Sequence, residues 1–158
     1  MSTPSENEIV HRAPIARWTR NALTALVSIV MFAMMMLTTA DVFGRTFGKP
    51  IKGSRCLVLG IAYKKNVDDI RESPAAEIME QLRRRGALLG YSDPHVPAFP
   101  RFDLESVRLS PQLLAAQDVV LITTDHDAFD FALVKKHARL IVDTRGVYLD
   151  PAPNVVKA

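Results

Sequence analysis

The sequence predicts an α/β protein: a parallel β-sheet with helices on both faces, preceded by one N-terminal membrane-spanning helix. Three observations carry this expectation. Short apolar runs of strand length alternate with helix-length stretches from about residue 55 onward. Pro, Gly and Ser sit at the joints between them. An uncharged run of 19 residues, Ala22–Ala40, stands apart from that alternation near the N-terminus. Strand–helix–strand repetition implies right-handed crossovers and hence parallel pairing.

The chain divides by composition into a polar segment at 1–21, a membrane helix at 22–44, a linker at 45–54, a folded domain at 55–150 and a loose tail at 151–158. The run ALTALVSIVMFAMMMLTTA has no charge, Pro or Gly. As a helix it spans roughly 28 Å, close to the hydrocarbon thickness of a bilayer. Arg12, Arg17 and Arg20 precede it, with Trp18 at interfacial position, and Asp41 and Arg45 close it. A cleaved signal peptide and a buried soluble helix are the competing readings; the run is long for the first, and no small-x-small site follows. Arginines and lysines on the two sides do not decide orientation.

Lys49-Pro50 and Gly53-Ser54 mark the joint to the domain. Cys56–Ala62 (CLVLGIA) is a continuous apolar run, as in a strand buried on both faces. Ser73 is placed as an N-cap and Pro74 as first helical residue. Ala75, Ile78, Met79 and Leu82 then share one helix face, and Arg83–Arg85 with Gly86 end it. The three arginines read as a solvated helix end favoured by the dipole. Ala87–Ser92 is a second strand, and residues 93–103 form a Pro-rich loop. Ser110-Pro111 opens a short helix through Gln117. Asp118–Thr124 is a third strand. Asp125 caps a helix running to about His137 that buries Phe129, Ala132 and Leu133. Arg139–Thr144 is a fourth strand. The arrangement is Rossmann-like.

Charge limits the partners. The first 51 residues carry five Lys+Arg against three Asp+Glu, and the remainder 15 against 14. No basic face is available to neutralise a phosphate backbone, so nucleic acid is not expected as a partner. The single cysteine, Cys56, allows no internal disulfide and no cysteine-based metal cluster; inside an apolar run it reads as a small core residue.

Ligands of open α/β sheets sit at the carboxyl ends of the strands. There the sequence places Tyr63, Lys64 and Lys65, then Thr124–Asp127, then Asp143 and Arg145. The segment GIAYKKNVDDIRESP packs six formal charges between Lys64 and Glu72. Lys64 and Arg145 can converge on an anion such as a phosphate, with Tyr63 offering an aromatic face. Asp68, Asp69 and Arg71 can pair among themselves to hold the loop. From spacing alone, solvated loop charges are an equal reading. No G-x-G-x-x-G cradle exists, since Gly60 stands alone. Asp125, His126 and Asp127 are adjacent and cannot all face one ion, so a helix cap with a solvent-facing His126 is expected. His95 and His137 have no matching ligand spacing, and no metal site is assigned.

The stretch GIAYKKNVDDIRESPAAEIMEQL resembles the signature of the C-terminal domain of the UDP-glucose/GDP-mannose dehydrogenase family. YSDPHVP, DVVLITTDHDAF and LIVDTRGVY agree in order and spacing, over about residues 52–150, and look most like the branch oxidising UDP-N-acetylglucosamine or its relatives. The resemblance implies a UDP-binding wall of a cleft in an NAD-dependent oxidoreductase that turns a sugar C6 alcohol into a carboxylate. It implies that Tyr63, Lys64 and Arg145 contact the UDP-sugar and that Arg71 reaches toward NAD. The family's NAD domain, catalytic lysine and thioester-forming cysteine have no counterpart here. No catalytic residue is assigned, NAD is not expected to bind well to this chain alone, and a dehydrogenase N-terminal domain in trans is a possible partner.

Separately, MFAMMMLTTADVFGRTFGKPI resembles the first helix of the small membrane subunit of tripartite ATP-independent periplasmic transporters, through Ala40, Asp41, Val42, Arg45, Pro50 and Ile51. The chain therefore reads as a join: a single-pass membrane start, contacting lipid, fused to the last third of a dehydrogenase whose parent is cytoplasmic. The alternative function is a transporter-subunit fragment with a passenger domain.

Overall fold

The computed structural model describes residues 51–158. The predicted membrane span at 22–44 and the transporter-like stretch up to Pro50 lie outside the described residues. Among the described residues no helix is long and apolar enough to cross a membrane.

Five parallel strands form one sheet in the order β2-β1-β5-β6-β7. They are β1 (Arg55–Leu59), β2 (Leu88–Ser92), β5 (Val119–Ile122), β6 (Ile141–Asp143) and β7 (Val155–Lys157). Helix α1 (Pro74–Arg84) follows β1, α2 (Pro111–Ala115) precedes β5, and α3 (Phe131–His137) joins β5 to β6. The chain runs from β1 outward to β2, then returns across β1 to lay down β5 on its other side. The strand order thus reverses between β1 and β5, which opens a crevice at their carboxyl ends.

Side chains alternate across a strand, so β1 serves two cores. Leu57 and Leu59 join Val120, Ile122 and Ile141 against Leu114, Val134 and Tyr148. Cys56 and Val58 turn the other way, toward the face that α1 covers, and are fully buried. That helix forms as expected: the Ser73 Oγ accepts the Ala75 N–H at 3.3 Å, Pro74 opens it, and Ala75, Ile78, Met79 and Leu82 are buried. Glu80 pairs with both Arg83 and Arg84 in its last turns. Ser110 likewise caps α2 through the Leu113 N–H.

The structure corrects three expectations. The tail supplies the fifth strand: Val155–Lys157 pairs with β6, and the Asn154 Nδ2 fixes its approach by donating to the Lys135 and Ala138 carbonyls at 2.9 Å each. The Pro-rich loop is not irregular throughout, since Ala98–Phe99 (β3) and Leu104–Glu105 (β4) pair antiparallel around a 3₁₀ turn at Pro100–Phe102. Finally, α3 starts six residues later than Asp125. Its cap is Asp130, whose Oδ1 accepts the Leu133 N–H at 2.9 Å. Phe129 is buried ahead of the helix, Ala132 is exposed, and Val134 takes the core position. Residues 125–127 cannot begin a helix because they are committed to contacts with the loops after β1 and β6.

Candidate functional site

The crevice is built by two loops, one leaving β1 and one leaving β5. Strand β1 ends at Leu59 because Gly60 turns the chain with φ +76°. A Cβ at Gly60 would lie 2.3 Å from the Thr124 carbonyl oxygen, so only glycine allows the two loops to close on each other. The two threonines that follow β5 complete that closure. The Thr123 hydroxyl donates to the Leu59 and Gly60 carbonyls, and the Thr124 hydroxyl donates to the Ala62 carbonyl at 2.6 Å.

Beneath the loops lies a fully buried carboxylate. Asp93 follows β2, and its Oδ2 accepts the Ile61 and Ala62 N–H groups at 2.7 and 3.2 Å. Its Oδ1 accepts the His95 and Val96 N–H groups at 2.8 and 3.1 Å. The His126 Nε2 lies 3.2 Å from Oδ2, with both side chains fully buried. On the other edge of that ring, the Asn66 N–H donates to Nδ1 at 2.9 Å. An acceptor role for Nδ1 puts the ring proton on Nε2, where it donates to Asp93. Burial pulls His126 below its ordinary pKa, while Asp93 pulls the other way. Burial of a ring without charge is the arrangement these bonds suit.

His126 is therefore not solvent-facing, which corrects the sequence expectation. The ring is drawn inward because Asp93 and the Asn66 amide leave a donor and an acceptor that only a buried imidazole meets together. Asn66 is itself clamped by a reciprocal pair: its Nδ2 donates to the Asp127 Oδ2 at 2.6 Å, and its Oδ1 accepts the Asp127 N–H at 3.0 Å.

Above this centre stands a shell of exposed charge. Tyr63 is 50% exposed, and the Lys64 Nζ sits 5.4 Å from its ring centroid. Among the described residues Lys64 makes no ion pair. Lys65 pairs with Asp127 at 2.6 Å, and Asp125 lies 4.0 Å away. Arg145, on the loop after β6, donates through Nε to the Asp125 Oδ1 at 3.0 Å. β5 lies between β1 and β6 in the sheet, so Lys64 and Arg145 stand on the loops that follow the strands on either side of it. Arg71 grips Asp69 with two hydrogen bonds of 2.9 and 2.8 Å and draws the Asp69 carboxyl down to about 2. The expected pairing of Asp69 with Arg71 is thus present. Asp143 is structural: it is buried and accepts the Arg145 and Tyr148 N–H groups. Cys56 is fully buried, and burial with nearby Asp118 raises its thiol to about 12.

Asp93, Asn66 and His126 were not singled out by sequence reasoning as a unit. Each is hydrogen-bonded across more than 30 residues of sequence, and no spacing rule links them. The available signals were weaker: a polar residue directly after each of β2 and β5, and a non-glycine able to accept φ +59° at Asn66.

A doubly wound α/β domain whose polar residues gather at the strand-order reversal is a nucleotide-binding type of domain. Sequence comparison narrows this. Residues 57–151 match the sequence model of the UDP-glucose/GDP-mannose dehydrogenase family, UDP binding domain, and the chain belongs to that family. It is similar to the NDP-N-acetyl-D-galactosaminuronic acid dehydrogenase of Ralstonia solanacearum, 32% identical over 109 residues, which are 66% of this chain and 24% of that one. It is similar also to the UDP-N-acetyl-D-mannosamine dehydrogenase of Salmonella typhi, 37% identical over 95 residues, covering 56% of this chain and 22% of that one. Among solved structures, the UDP-N-acetyl-mannosamine dehydrogenase from Staphylococcus aureus superposes with a TM-score of 0.58 at 28% identity, covering 80% of this chain and 30% of that one. The chain spans about a quarter of the length of the curated relatives it matches.

Proposed function

We propose that this chain binds the uridine diphosphate part of a UDP-N-acetylhexosamine at the crevice between β1 and β5. Lys64 and Arg145 take the phosphates, and Tyr63 offers its ring. Arg71 is assigned to the NAD side on the family resemblance alone. The observation that carries this reading is the closure of Gly60 on Thr124. It brings the β1 loop across the end of β5 and leaves Tyr63 and Lys64 exposed at the strand-order reversal. Lys64 is open to a phosphate, whereas Arg145 must exchange Asp125 for one. Exposed ion pairs are weak enough for that exchange, typically under about 1 kcal/mol. The N-acetyl assignment is supported by the names of the relatives from Ralstonia and Salmonella.

Calorimetry of the full chain with UDP tests the reading. Binding in the micromolar-to-millimolar range is expected, weakened about tenfold by Lys64→Ala. No heat at millimolar UDP, or unchanged affinity in Lys64→Ala, overturns it.

The chain by itself is proposed not to oxidise a UDP-sugar. A covalent second oxidation needs an activated nucleophile, and Cys56 is buried in β1 with a raised thiol pKa. Binding substrate alone does not lower a chemical barrier. Turnover would require the remaining dehydrogenase domains in trans. An NADH-absorbance assay with UDP-N-acetylglucosamine and its epimers should stay at background; turnover lost in Cys56→Ser would reverse the conclusion. The apolar run at 22–40 supports a further proposal, a single-helix bilayer anchor, for which recovery of the chain in the soluble fraction after carbonate extraction is the opposing result.

A further inference from the structure

We propose that His126, acting through Asn66, is a positioning residue for nucleotide binding: it latches the tip of the β1 loop so that Tyr63 and Lys64 are held ready for the ligand. The inference rests on the UDP-binding reading above and adds to it a residue that touches no ligand.

Besides the Thr124 hydroxyl bond to the Ala62 carbonyl and the Tyr63 N–H bond to the Asp69 carbonyl at 2.7 Å, the loop is pinned at two points of one buried unit. Its start is fixed where the Ile61 and Ala62 N–H groups reach Asp93 Oδ2. Its tip is fixed where the Asn66 N–H reaches His126 Nδ1. The two anchors are one structure, because the other edge of the His126 ring contacts that same Asp93 oxygen. Tyr63, Lys64 and Lys65 are the three residues suspended between the anchors, and all three side chains are exposed. A loop of exposed side chains has little packing of its own to select one conformation. The Tyr63 N–H bond to Asp69 and the Lys65–Asp127 pair hold it from within and above, and a ring fully removed from solvent holds its tip from below.

Asn66 also holds a left-handed backbone, φ +59°, which non-glycine residues adopt at a cost unless something compensates. The reciprocal Asn66–Asp127 pair and the bond to His126 supply that compensation. A binding-competent loop conformation that is only partly populated reduces apparent affinity by its population. Releasing the latch should therefore weaken UDP binding without removing any group that touches UDP.

Three variants of the full chain test this. His126→Phe keeps the ring volume and removes both nitrogens. His126→Asn places a carbonyl oxygen near the position of Nδ1, so the acceptor for Asn66 is retained. Asn66→Gly keeps the left-handed backbone and its N–H but deletes the Asp127 clamp. Two readouts are used: UDP affinity by calorimetry, and amide exchange at residues 63–66 relative to β5.

His126→Phe is expected to weaken UDP about tenfold and to speed exchange at 63–66 with β5 unchanged. His126→Asn should recover most of both effects, and Asn66→Gly should fall between. A folded His126→Phe chain that binds UDP like wild type, or that leaves exchange at 63–66 unchanged, overturns the proposal. So does His126→Asn behaving no better than His126→Phe, which would indicate a packing role only. Should His126→Phe not fold, His126→Met, which also lacks the acceptor, takes its place, and wild-type affinity and exchange in it overturn the proposal. Weakened affinity there, with recovery in His126→Asn, upholds it. Wild-type chain that binds no UDP overturns the functional reading, while faster exchange in His126→Phe would still uphold the latch as the loop's anchor.

Discussion

Two charged regions lie within one crevice and obey opposite rules. Asp93 and His126 are wholly removed from water, and the Asp93 carboxylate is matched by four backbone N–H groups and the imidazole. Above them Lys65, Asp125, Asp127, Arg145, Asp69 and Arg71 pair at the surface, with the Arg71 side chain 86% exposed. A buried charge is tolerated only when fully satisfied, so every partner in the lower region is obligatory. An exposed pair is screened by solvent and can be traded for another ion. The difference separates framework from function: the buried group fixes where the loops are, and the exposed groups stay exchangeable for a ligand.

Deleting the framework charge should have the largest effect. Asp93→Ala strands four backbone donors and the His126 N–H, and is expected to cost roughly 3–5 kcal/mol in urea unfolding of the full chain. That is a large share of a typical folding stability of about 5–15 kcal/mol. A loss below about 1 kcal/mol would show that the buried region is not obligatory. Gly60→Ala comes next. It combines a positive φ with a Cβ driven onto the Thr124 carbonyl, and roughly 2–4 kcal/mol is expected in the same measurement.

Acidification should act on the same framework more gently. The His126 pKa is depressed in the folded state, so below its ordinary value of about 6.5 the unfolded chain takes up a proton that the folded chain resists. Stability is then complete above about pH 6.5 and declines as pH falls toward the depressed value. Asp93, His95 and Asp125 are the titratable groups that act on the ring. Unfolding midpoints between pH 7.5 and 5 should fall in wild type and fall less in His126→Gln; parallel curves would remove His126 as the cause. The smallest effect belongs to the surface. Arg71→Ala breaks the bidentate Asp69 pair, yet the urea unfolding midpoint should stay at the wild-type value. A lower midpoint would place Arg71 with the framework rather than with the exchangeable shell.

The sequence by itself determined the order of strands and helices, because apolar runs and capping residues are local signals. CLVLGIA had to be an interior strand, and Ser73-Pro74 had to open a helix, whatever surrounded them. Local pattern also placed Tyr63, Lys64 and Arg145 at strand ends, and the pairing of Asp69 with Arg71 was legible because the two residues are neighbours in the chain. Only the tertiary structure decided the rest. Whether His126 faces solvent depends on Asp93, 33 residues away, and on the Asn66 amide, 60 residues away. The start of α3 departs from the local signal for the same reason: Asp125 is a good cap by residue type, but its carboxylate is drawn to Arg145 across 20 residues. The tail reads as loose until β6 exists to pair with it. Periodicity and caps act within a few residues, whereas a buried donor or acceptor is satisfied by whichever segment the folded chain delivers beside it.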